Sequence, residues 1–66
     1  MKRLVLLVDE ENRICSYSTR DYPEHGIMSL EKDGKTHLLM INNYSIFGEI
    51  YNLETEKGMF ILKYLE

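Results

Sequence analysis

Two stretches of the chain are apolar on both faces of an extended backbone. In residues 4–8, LVLLV, the side chains of Leu4, Leu6 and Val8 point one way and Val5 and Leu7 the other. Residues 59–65 repeat this, with Met59, Ile61 and Leu65 opposed to Phe60, Leu62 and Tyr64. Such runs mark strands covered on both sides. Both ends of the chain are therefore expected to lie centrally, in a sheet or in an interface.

Turn chemistry divides what lies between. DEENR (9–13) and EKDGK (31–35) share one pattern: acid, any residue, acid, Asn or Gly, base. Asn and Gly tolerate the left-handed backbone that hairpin loops demand, so each segment predicts a hairpin. A three-residue loop in the first sets Asp9 opposite Arg13 and Cys15 opposite Leu7. In the second hairpin, separation of apolar from polar faces favours the same loop length, Lys32-Asp33-Gly34. Glu31 then faces Lys35, and Met28, Leu30, Leu38 and Met40 share a face. A two-residue Asp33-Gly34 loop would instead set Lys32 against Lys35 and Leu30 against His37.

Residues 45–58, SIFGEIYNLETEKG, admit two readings. Strand alternation sets Ile46, Gly48 and Ile50 against Phe47, Glu49 and Tyr51. A helix would use Ser45 as N-cap, a stripe of Ile46, Ile50 and Leu53, and Gly58 as terminator. The β-branched and aromatic content favours the strand. The expected fold is thus all-β: a small antiparallel meander or barrel of about six strands in three hairpins, forming one domain over residues 1–66. The alternative is α+β with residues 45–57 helical.

Size adds one constraint. A 66-residue chain buries only about 60% of the surface its unfolded form exposes, so small domains gain support from disulfides, metals or oligomerisation. A single cysteine excludes an intrachain disulfide and points to a reducing, cytoplasmic setting. Cys15, Cys-and-His spacing included, offers no zinc motif with His25 and His37. No cofactor is expected. A homo-oligomer follows by elimination and from the doubly apolar terminal strands. The apolar run at residues 4–8 is too short for a leader or a membrane span.

The net charge is −3, and the eight basic residues are scattered among acids. Nucleic-acid binding needs a concentrated positive face, so that partner is disfavoured. No catalytic constellation stands out, and a domain this small has little volume for a substrate pocket. The expectation is a non-enzymatic protein.

Candidate contact residues concentrate in STRDYPEHG (18–26). Arg20, Asp21, Tyr22, Glu24 and His25 gather there around the only proline. The plain reading is a solvated crossover between hairpins, stopped by Pro23 and turned by Gly26. The functional reading is a contact loop. Five tyrosines are many for this length, and tyrosine favours interfaces. Tyr22 and Tyr44 are expected in loops, so Tyr44 joins the candidates. The expected function is a small regulator or inhibitor, of the kind bacteria and phages encode, that occupies a partner protein's surface. The alternative is an oligomer that binds a small ligand, such as a nucleotide, at its subunit interfaces.

Overall fold

A computed structural model describes residues 1–65. Six strands follow one another: β1 (Arg3–Val8), β2 (Ile14–Thr19), β3 (Ile27–Lys32), β4 (Lys35–Phe47), β5 (Ile50–Thr55) and β6 (Gly58–Tyr64). A single 3₁₀ turn, Pro23–His25, precedes β3. Each strand pairs antiparallel with its chain neighbours, and β6 returns to β1, closing an all-β barrel. Among the described residues there is no α-helix, so residues 45–57 take the extended alternative. Closure places a chain's first and last strands side by side. It also explains half of their doubly apolar pattern: Val5, Leu7 and Leu62 line the interior.

The interior is filled by Val5, Leu7, Met28, Leu30, Leu39, Leu53 and Leu62. A six-stranded barrel is narrow enough that side chains alone fill it. Burying one such aliphatic side chain stabilises the fold by about 1.5–3 kcal/mol. Tyr17, Ile41, Tyr51, Phe60 and Tyr64 pack partly buried against this cluster.

The first hairpin forms as its sequence suggests. Val8 pairs with Ile14 and Leu7 with Cys15, leaving Glu10, Glu11 and Asn12 as the loop. Asn12 takes the left-handed conformation at φ 64°. Asp9 Oδ1 accepts the N–H groups of Glu11 and Arg13, both at 2.9 Å, and Asp9 Oδ2 pairs with Arg13 Nε at 3.0 Å.

The second hairpin departs from the expected register. Its loop is Asp33-Gly34, with Lys32 opposite Lys35 and Leu30 opposite His37. Asp33 and Gly34 both have positive φ, 52° and 76°, the requirement of the tight type I′ turn that Asp-Gly favours. Turn geometry outweighed face separation because the mismatched residues lie where the strands run out into solvent. Lys32 and Lys35 are exposed, and His37 rests edge-on against Tyr17 at 5.7 Å. Leu39 turns inward, while Leu38 and Met40 face out at 59% and 51% exposure.

β4 is 13 residues long and carries a β-bulge. Ile41 pairs with Thr55, yet Asn43 pairs with Glu54, so β4 spends one residue more than β5. The extra residue shifts the alternation. Tyr44 faces Leu53 and Ile46 faces Tyr51, on the side of β5 that continues the interior. Re-aiming side chains in this way is a common use of bulges. Tyr44 therefore sits in a strand, not in the loop expected for it.

Carboxylates stand in for backbone partners where ladders end. Glu56 takes the Met40 N–H, at 3.1 and 3.0 Å to its two oxygens, and Glu10 takes the Met59 N–H at 3.1 Å. The pairing of β2 with β3 depends most on this device, since Ser18–Glu31 is its one registered pair. There Thr19 Oγ1 donates to the Ser29 carbonyl at 2.8 Å, and Asp21 Oδ2 accepts the Ser29 N–H at 2.7 Å.

Candidate functional site

The three hairpin turns lie at one end of the barrel. The connection over residues 20–26, the β4–β5 turn and both chain termini lie at the other. This second end is the candidate site, called here the mouth. Inward alternation supplies its residues. Arg3 continues the face of Val5 and Leu7, Tyr64 that of Phe60 and Leu62, and Tyr51 that of Leu53. The bulge adds Tyr44 and Ile46.

Four tyrosines form a chain of ring contacts. Tyr22 and Tyr64 have centroids 5.3 Å apart, Tyr64 and Tyr51 5.8 Å, and Tyr51 and Tyr44 6.3 Å. His25 extends the series, edge-on to Tyr22 at 5.7 Å. These spacings fall within the range of attractive aromatic pairs. The Arg3 guanidinium lies 4.5 Å from the Tyr64 centroid and 5.7 Å from that of Tyr22, close enough for cation–π attraction. Arg3 Nη1 also donates to the Tyr22 hydroxyl at 2.8 Å. Arg3, Tyr22, Tyr51 and Tyr64, together with Ile46, Gly48, Glu49 and Leu65, line an open concavity of about 310 Å³.

Burial pushes the Tyr64 hydroxyl far above its usual value of 10.0, reinforced by Tyr51 and Tyr22 and opposed by Arg3. Its proton is committed to the Asp21 carbonyl, 2.7 Å away. Tyr51 is raised as well, by burial first and then by Glu24, whose carboxylate accepts its hydroxyl at 3.4 Å. Tyr51 and Tyr64 thus stay protonated in neutral solution. The mouth offers aromatic faces and hydroxyl donors, a chemistry of stacking and hydrogen bonding.

The six residues singled out in the sequence separate into three groups. Tyr22, Glu24, His25 and Tyr44 belong to the mouth or its rim. Asp21 is held on three sides: its N–H by Thr19 Oγ1 at 3.0 Å, its carbonyl by Tyr64 and its carboxylate by Ser29. Arg20 is exposed, with no ion pair among the described residues. The sequence reading missed Arg3, Tyr51 and Tyr64. Their signal was parity: each sits two residues beyond an interior position on its own strand.

Among the described residues, no group of His, Cys, Asp and Glu side chains could hold a metal ion, and no helix is long and apolar enough to cross a membrane. A second, smaller groove of about 250 Å³ lies on the outer wall, where Val8, Ile61 and Met59 meet Asp9 and Glu10. Comparison with known proteins finds no family model, no curated protein and no solved structure that matches the chain.

Proposed function

We propose that the protein is a non-enzymatic binding protein whose mouth engages the surface of a partner protein, so that it acts as a regulator or inhibitor. The observation that carries this reading is the tyrosine series itself. Three of its rings, Tyr22, Tyr51 and Tyr64, line one open concavity with an arginine and an aliphatic rim, and Tyr44 packs on Tyr51 beside it. Tyrosine and arginine dominate the energetics of protein contacts because each combines a large apolar face with directed donors. Tyr22, Glu24, His25 and Tyr44 lie on the rim and are the contact residues. Asp21 sets the loop's position, and Arg20 adds an outlying charge.

Affinity capture from the cell of origin tests the reading. Wild-type protein should retain a partner in stoichiometric amount. Tyr44→Ala and Tyr22→Ala should each weaken retention at least about tenfold, the equivalent of 1.4 kcal/mol, with circular dichroism unchanged. Equal retention by both variants would contradict it.

The concavity also favours a second reading, a small planar ligand such as a nucleotide base stacked on Tyr22 or Tyr51. A thermal-shift screen against nucleotides separates the two. A ligand at a hundred times its dissociation constant stabilises the native state by about 2.7 kcal/mol, whereas the partner-protein reading predicts no shift.

A further inference from the structure

The chain is 29% charged, yet residues 36–48 contain no Asp, Glu, Lys or Arg. This is its longest uncharged run, and it coincides with nearly all of β4. β3 accompanies β4 only to the Ile27–Met40 pair, after which Gly26 O accepts the Ile41 N–H at 2.8 Å. Beyond that point residues 42–47 pair with β5 on one side. On the other they have no strand partner among the described residues. The 3₁₀ turn packs on β4, yet all six residues remain exposed. Apart from the loosely joined β2–β3 seam, residues 42–47 are thus the edge of the barrel left without a strand partner among the described residues.

An unpaired edge is a template for another strand, and proteins usually guard one with lysine, proline or a bulge. Here the bulge lies at the start of the overhang, and residues 44–47, YSIF, carry no lysine or proline. The Tyr44 N–H is held only by a neighbouring side chain, Asn43 Oδ1 at 2.9 Å.

We propose that this edge pairs with the same edge of a second copy, antiparallel about a two-fold axis through Ser45. Symmetry sets like against like at the centre, which an uncharged segment in a chain of net charge −3 accepts without repulsion. Ser45 meets its counterpart, and Tyr44 of each protomer faces Ile46 of the other, an aromatic and β-branched pair of the kind that stabilises sheets. Directly opposed residues point to the same side of a sheet. The partner's Ile46 therefore extends the tyrosine wall beyond Tyr44, and the mouth of one copy is completed by the other. A partner's carbonyl replaces Asn43 Oδ1 on the Tyr44 N–H.

Size-exclusion chromatography with light scattering tests this independently of partner capture, which is scored separately on each variant. Wild-type protein should elute at twice the 7.8 kDa chain mass across the micromolar range. Ser45→Lys and Ser45→Glu should each weaken the dimer about tenfold or more through like-charge opposition while keeping the circular dichroism spectrum. An equimolar mixture of the two should restore the dimer. A monomeric wild type overturns the proposal. So does a dimer that survives Ser45→Lys, including one that Ile61→Asp on the outer wall dissolves instead.

Discussion

The two ends of the barrel are built from different ranges of interaction. At the turn end, each loop is closed by residues adjacent in sequence: Asp9 binds Arg13 and Glu11, Asp33-Gly34 turns on its own backbone, and Thr55 Oγ1 donates to Gly58 O at 2.8 Å. At the mouth, partners come from across the chain. The Tyr64 hydroxyl reaches Asp21, Arg3 reaches Tyr22, and Tyr51 reaches Glu24. The turn end can form before the barrel closes. The mouth exists only after β6 has returned to β1. A contact surface assembled this way is coupled to completion of the fold, while the turns only set it up.

Substitutions can break or sharpen this contrast. The largest effect is expected where both ends share a core. Leu62→Ala and Leu30→Ala, each at a buried interior position, should lower unfolding free energy by about 2–5 kcal/mol in urea titrations. Next is Asp21→Ala, which leaves the Ser29 N–H without its acceptor and should cost about 1–3 kcal/mol. Asp21→Asn keeps an acceptor oxygen and should lose less. If Asp21 served only as a contact charge, both variants would be as stable as wild type.

Tyr64→Phe is smaller, about 1 kcal/mol for one neutral hydrogen bond, and it carries a pH signature. Because the folded state raises the Tyr64 pKa, its contribution is complete below the unfolded value of 10.0 and declines as pH climbs above it. The phenylalanine variant should show a shallower alkaline loss of stability. The smallest change is at the turn end. Asp9 lies below its usual 3.8, chiefly through the Arg13 N–H, with burial opposing. A depressed carboxylate stabilises the fold above its unfolded pKa and loses that contribution as pH falls below about 3.8. Asp9→Asn should lower stability slightly near neutrality and flatten the acid limb.

What the sequence discloses follows the same division. Six strands in three hairpins were legible because turns are local: DEENR specified its loop and its Asp9–Arg13 pairing without reference to the rest of the chain. EKDGK was misread because a rule about faces was set above the turn type that Asp-Gly prefers. Lys32 and His37 could occupy inward positions since the barrel end admits water. The bulge at residues 41–43 has no local signature, and without it Tyr44 and Ile46 would point outward. Tyr22, Glu24 and His25 stood out by polarity. Arg3, Tyr51 and Tyr64 did not, because they read as continuations of core strands until closure placed them around one opening. Asp21 looked like a contact charge because a side chain replacing a ladder hydrogen bond cannot be distinguished in sequence from one facing solvent.

The central claim is that the mouth is the contact surface. Amide hydrogen exchange, measured on the free protein and on its complex with the captured partner, tests it most directly. New protection concentrated at Tyr22, Glu24 and His25 and in residues 48–51, with the outer wall at Val8 and Ile61 unchanged, is the predicted result. Protection on that wall with none at the mouth would contradict it.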